Sequence, residues 1–187
     1  MCFPKFAMRF VLSGMCLAWS VAQLSAATLS RLTLDDMINQ STSIVRARIS
    51  GSYAAQRGQI IYTFYQAQVT GQWKGGAQPS VELAVPGGTL DGARQAFPGA
   101  PQLAEGKEYV FFLWTSKSGL TQIIGLTQGL FDVTVDSGGT STVSRGATSN
   151  SMLDPRTGQL VKDEAIQMQV KDLGVRIATT LGKGATN

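Results

Sequence analysis

The sequence predicts a mainly β protein of one domain: a small, strongly curved antiparallel barrel or sandwich, closed or partly open, with a short helix before its strands and a longer helix after them. Three observations carry that expectation. Ser43 to Ile49 and Ile60 to Gly75 alternate apolar and polar residues with a period of two. Glu108 to Trp114, EYVFFLW, is apolar almost throughout, as a strand buried on both faces must be. The strand patterns follow one another directly, and the one long helical pattern comes after them, an order that excludes βαβ units.

The chain opens as a targeting segment. Lys5 and Arg9 make a positive end, Phe10 to Val21 an apolar run, and Ser25, Ala26 and Ala27 the small residues of a cleavage site. Cleavage after Ala27 is expected, leaving Thr28 first and sending the protein to the periplasm or beyond the cell. The run is shorter than the roughly 20 residues that cross a bilayer, and no later segment comes close, so no membrane span is expected after cleavage. Both cysteines, Cys2 and Cys16, fall inside the leader. Cys16 follows Ser13, Gly14 and Met15, which is not the setting of a lipid-attachment cysteine. A leader of 27 residues taken from 187 leaves 160, and a domain of that size buries on the order of 70% of its unfolded surface, so a core without disulfides suffices.

Two of the 16 basic residues lie in the leader, so 14 face 12 acidic ones and the net charge is +2. That is too little to argue for nucleic acid or an anionic membrane as partner. Histidine is absent. With the cysteines confined to the leader, the composition excludes zinc and copper sites of ordinary ligands, Ser-His and Cys-His catalysis and imidazole acid-base chemistry. No metal or cofactor is expected.

Thr33 to Gln40 reads as a short helix: Thr33 caps it with Asp36 three residues on, and Leu34, Met37 and Ile38 form its apolar stripe. In Ser43 to Ile49, Val45, Ala47 and Ile49 point inward and Arg46 and Arg48 outward. Gly51 to Gln59 reads as a polar loop. The next strand carries Ile61, Thr63, Tyr65, Ala67 and Val69 inward, with a bulge expected at Gly71 and Trp73 still in the inward phase. Ser80 to Val85 is a third strand, with Val81, Leu83 and Val85 inward and Glu82 outward; Pro86, Gly87 and Gly88 stop it. Pro86 to Lys107 lacks periodicity, and a connection of that length is more often functional or mobile than plain. After EYVFFLW come a turn at Ser116 to Gly119, a strand over Leu120 to Leu126, a break at GLTQG, and a strand over Leu130 to Val135. Asp136 to Ser151 reads as a weakly specified hairpin or flexible excursion, and Asp154 to Gly158 as a turn. Asp163 to Leu181 is the long helical pattern, with Gly174 inside it predicting a kink or close packing.

Binding candidates are few. Arg46 and Arg48 share one strand face and suit an acidic or phosphate partner, although such a face also keeps an edge strand from aggregating. Tyr62 and Phe64 with the two arginines would make a platform for sugar or single-stranded nucleic acid, although strand aromatics more often pack. Gly87 and Gly88 would offer backbone N–H groups to an anion, although turn chemistry explains them as well. Asp132, Asp136 and Asp154 lack the spacing of a calcium loop. Glu82, Asp91, Glu105 and Glu108 lie near the long connection, where two of them would have to approach to act as a glycosidase pair; acids at such places usually serve solubility.

The succession SIVRARISG, IYTFYQAQVTGQWKG, SVELAVPGG, GKEYVFFLW and IIGLTQGLFDV resembles an uncharacterised family of secreted bacterial proteins, over Leu34 to about Val135. That resemblance implies the same strand order and no activity. More distantly, a strand like IVRARISG followed by a tyrosine-rich strand ending in Lys74 and Gly75 is similar to the netrin-like domain of tissue inhibitors of metalloproteinases, which implies an OB-type barrel. The zinc-chelating N-terminal cysteine of that family has no counterpart here, where Thr28 is expected first. The expected protein is therefore an exported, non-catalytic binding module for a protein or glycan partner, held through Pro86 to Lys107 and neighbouring turns. The alternatives are a carboxylate enzyme acting on envelope polysaccharide through Glu105 or Asp91, and a structural component of the envelope.

Overall fold

The computed structural model describes residues 29–148 and 152–184; the segment expected to be a leader, with its expected cleavage after Ala27, lies outside the described residues. The strands in chain order are β1 (Leu29–Ser30), β2 (Ser43–Arg57), β3 (Ile60–Lys74), β4 (Ser80–Pro86), β5 (Gly88–Leu90), β6 (Ala93–Gln95), β7 (Glu108–Thr115), β8 (Thr121–Ile123), β9 (Leu130–Val135), β10 (Ser141–Arg145), β11 (Met152–Leu153), β12 (Leu160–Val161) and β13 (Ile166–Gln169). Helix α1 (Leu34–Gln40) stands between β1 and β2, and α2 (Val170–Gly184) follows β13.

The mainly β architecture with a helix near each end is as expected. One sheet runs β13-β10-β9-β7-β2-β3-β4, with β8 added to β7. Its pairings are antiparallel. It curls until β4 stands near β8, but no ladder joins them, so the sheet is not closed.

Strand β7 is buried on both faces, and its alternate residues supply two cores. Tyr109, Phe111 and Leu113 join Val45, Ala47, Ile49, Leu83 and Val85 on one side. Val110 and Phe112 join Met37, Ile38, Phe131, Leu173 and Ile177 on the other, under the two helices. The capping box of α1 forms as its sequence suggests: Asp36 N–H donates to Thr33 Oγ1, and the Thr33 N–H donates to the Asp36 carboxylate.

Four local expectations give way. Gly51 to Gln59 is mostly strand: β2 and β3 pair from Ile44–Lys74 out to Arg57–Ile60, making a 15-residue arm on each side of a turn at Gly58, whose φ is +61°. Polar residues there mark an arm exposed on both faces, which period-two reasoning with one apolar face does not recognise. Trp73 leaves the inward phase, because register slips between Ile44 and Val45 and between Arg46 and Ala47 turn it toward the helices. The fifth strand is short, Thr121–Ile123. Ile166 to Gln169 is a strand rather than the first helical turn, completing the sheet beside β10; the helix begins only at Val170 and buries Leu173 and Ile177, leaving Val175 67% exposed. Of the two readings of Asp136 to Ser151 the hairpin is the one found, with residues 141–145 as a strand paired antiparallel to β9; further on, β11 pairs with β1 and with β12.

The long connection is also ordered. It forms the β5–β6 hairpin on the arm, then folds back over the first core, burying Leu103. Backbone bonds from Gly106 N–H to Ile49 O and from Ile49 N–H to Lys107 O pin its end. No described helix is long and apolar enough to cross a membrane.

Candidate binding surfaces of the hairpin arm

Arg46 and Arg48 lie together near the base of the arm, where Arg46 is paired with Glu108 and Arg48 remains largely exposed. Arg46 Nη2 donates to Glu108 Oε2 at 2.7 Å, Thr70 Oγ1 donates to Glu108 Oε1 at 2.6 Å, and Arg48 Nη1 donates to Gly106 O at 2.8 Å. Burial works to raise the Glu108 pKa, yet these bonds and the two guanidinium charges outweigh it and hold the carboxyl below its ordinary value. The group joins β2, β3 and β7 across the sheet. An acidic ligand would have to displace Glu108 to reach Arg46, which is therefore part of a clasp, while the Arg48 side chain, 3.8 Å from Glu108, stays 54% exposed.

Gly87 and Gly88 are likewise occupied. Gly87 N–H donates to Ile61 O, and Thr63 Oγ1 donates to Gly87 O. At Gly88, with φ at +149°, a Cβ would stand 2.8 Å from Thr63 Oγ1. Glycine is required there because the hairpin presses on β3. Gln95 fixes the same hairpin: its Oε1 accepts from Ile61 N–H and its Nε2 donates to Gln59 O. What this packing leaves is a cavity of about 460 Å³ between the hairpin, residues 96–103 and the arm, with Thr63, Tyr65, Arg94, Phe97 and Gln102 in its wall. Arg94 and Phe97 are both exposed.

On the opposite face of the arm Tyr62 does meet Phe64, with ring centroids 6.1 Å apart. The cation beside them is Arg57, whose Cζ stands 5.9 Å from the Phe64 centroid, and not Arg46 or Arg48. Tyr53 stacks on Phe64 at 5.2 Å with planes 14° apart, and its hydroxyl donates to Glu82 Oε2 at 3.0 Å. Beside these rings runs a groove of about 340 Å³ between Arg57, Phe64, Glu82 and the turn that carries Ser118 and Thr121. Tyr53 and Arg57 were hidden from sequence reasoning by the loop assigned to Gly51–Gln59. The alternation of Tyr53, Ala55 and Arg57, closed by a glycine turn and continued by Tyr62 and Phe64, is the signal that marks them.

The remaining acids are dispersed. Asp132 pairs with Lys107 at 2.6 Å, Asp136 accepts from Gly138 and Thr140 N–H in its own turn, and Asp154 accepts from Arg156 and Thr157 N–H in another. No group of three or more His, Cys, Asp or Glu side chains that would hold a metal occurs among the described residues. No known family, curated protein or solved structure matches the chain.

Proposed function

We propose that this is an exported, non-catalytic binding module, its sheet a partly open barrel of OB or netrin-like type and its partner a protein or glycan held at the arm and the long loop. The approach of β4 to β8 without pairing supports the barrel reading. The observation that carries the functional reading is the cavity of about 460 Å³ between the β5–β6 hairpin and the arm. Its size falls in the roughly 300–1,000 Å³ range of small binding sites. It is assembled by a loop that the fold holds rigid at Gly87, Thr63 and Gln95, and preorganisation of that kind lowers the entropy lost on binding. Among the acids weighed as catalysts, Glu108 serves the clasp and one oxygen of Glu82 serves Tyr53.

The test is retention of partners from culture medium and envelope extract on the immobilised protein, repeated with Arg94→Glu and Phe97→Ala. Both residues are exposed, so the variants should keep the parent unfolding midpoint. A partner retained by the parent and lost by both variants supports the reading; equal retention by all three counts against the loop. Turnover of an envelope polysaccharide, abolished by Glu105→Gln or Asp91→Asn, would replace the binding module with an enzyme.

A further inference from the structure

We infer that the outer groove of the arm is a site for a neutral glycan, with Glu82 and Arg57 as the polar pair in its wall and Tyr53, stacked on the wall residue Phe64, as the stacking surface at its rim. The inference rests on the reading of the protein as a binding module but not on the loop cavity, which lies on the other face of the arm. Tyr53 is 45% exposed, and it is held at both ends, its ring by Phe64 and its hydroxyl by Glu82. A ring so fixed offers a preformed apolar face at little entropic cost. The C–H face of a sugar matches that surface, and its hydroxyls then need both acceptors and donors at the rim.

Both are present and only partly used. Glu82, acceptor-only when ionised, engages Tyr53 through Oε2, which leaves Oε1 for a ligand hydroxyl. Arg57, donor-only, touches the Phe64 ring and has no ion pair among the described residues. Ser118 and Thr121 stand in the opposite wall, their hydroxyls bonded to those of Ser116 and Thr115. The two charges cancel, so a polyanion gains none of the counterion release that drives its binding to basic clefts. A peptide anchor would need an open apolar pocket, but Phe64 is only 4% exposed beneath Tyr53 and Arg57.

The experiment is titration of the purified protein with soluble oligosaccharides derived from chitin, cellulose and starch, and with heparin and polyphosphate as polyanions. Ring resonances of Tyr53 and Tyr62 report the site, and calorimetry reports affinity. A neutral oligosaccharide should shift both rings, and neither polyanion should. Tyr53→Ala and Glu82→Gln should each weaken that binding about tenfold or more, the loss expected for one stacking surface or one well-placed polar contact, while Arg94→Ala leaves it unchanged. The inference is overturned if no neutral oligosaccharide moves these rings, if a polyanion or an extended peptide does so instead, or if binding survives both groove variants. Loss in Arg94→Ala alone would move the sugar to the loop cavity and overturn the groove. A protein that keeps a loop-dependent partner yet ignores every oligosaccharide would refute this site and leave the binding-module reading standing.

Discussion

Trp73 and Gly174 meet where the arm's base passes under α2: a Cβ built on Gly174 would stand 2.9 Å from Trp73 Nε1. In an exposed helix interior, Gly→Ala is worth about 1 kcal/mol in favour of alanine. Here the methyl must displace an indole packed against the second core, and overpacking costs about 1–3 kcal/mol. Gly174→Ala should therefore lower stability by about 1 kcal/mol net in urea unfolding. Combining it with Trp73→Leu should remove that penalty, so that Trp73→Leu costs less in the Gly174→Ala background than alone. Additive losses would mean that the close approach has no energetic weight.

Glu108 predicts a pH dependence. Its folded pKa lies below the ordinary value, so the folded state binds fewer protons than the unfolded chain. The stability it contributes is complete above the unfolded pKa and is lost as pH falls through the folded one. Asp35, lowered first by its hydrogen bond from Arg176, acts in the same direction. The unfolding midpoint should fall between about pH 5 and pH 2, less steeply in Glu108→Gln. At neutral pH that variant should be weaker by about 2 kcal/mol, because the half-buried Arg46 keeps its charge and loses its counter-ion. An unchanged pH profile in Glu108→Gln would remove the clasp from the acid response.

The sequence was most legible where one face had to be apolar. The alternation in Val45, Ala47 and Ile49, the apolar run EYVFFLW and the Thr33–Asp36 box describe constraints that act within a few residues, and they are found as read except at Trp114, which is 46% exposed at the end of β7. The outer arm was not legible, because beyond Gly51 neither face of β2 meets a large core and the period-two signal fades. Ile166 to Gln169 has helical spacing with α2 but is claimed by the free edge of β10, a tertiary choice that local pattern does not contain. The site residues divide in the same way. Arg46 and Arg48 were visible as an outer face, but Glu108, which pairs with Arg46 and stands 3.8 Å from Arg48, is 62 and 60 positions away in the chain; distances in sequence say nothing of it. Tyr62 was seen, while its partners Tyr53 and Arg57 were concealed in the supposed loop.

The short stretches around Lys74 and GLTQG are joints of the architecture. Lys74 Nζ donates to Ile38 O and Asn39 O at the end of α1, and burial lowers its pKa. In GLTQG, Gln128 is fully buried; its Oε1 accepts from Leu32 N–H and its Nε2 donates to Ser30 O. A net hydrogen bond contributes about 1 kcal/mol, and an abandoned buried group costs more. Gln128→Ala should therefore destabilise the protein by about 2–4 kcal/mol. It should also speed hydrogen exchange at Leu32, whereas Gln128→Glu keeps the acceptor for that amide and loses only the donor to Ser30 O. Unchanged protection of that amide in Gln128→Ala would show that β1 is held by its pairing with β11 alone.

The strongest single-residue effect should come from the ion pair under β11 and β12. Arg145 and Asp163 meet through two nitrogen–oxygen bonds of 3.1 and 3.0 Å, with side chains only 6% and 2% exposed. Arg145 also donates to Glu164 O, and Asp163 accepts from Thr148 N–H, so the pair fastens both ends of the excursion to β10. Arg145 Nε has no partner among the described residues, and the geometry does not fully offset the loss of solvation. Removing one member leaves the other charge buried, at a cost of about 3–5 kcal/mol, whereas replacing both with apolar residues of similar volume is often neutral or better. Asp163→Ala should accordingly lower stability by about 3–5 kcal/mol, and Arg145→Met with Asp163→Leu should regain the larger part of that loss in urea unfolding. If the double variant is no more stable than Asp163→Ala, the pair supplies binding geometry to the excursion that hydrophobic volume does not replace, and the bonds to Glu164 and Thr148 carry the strand return.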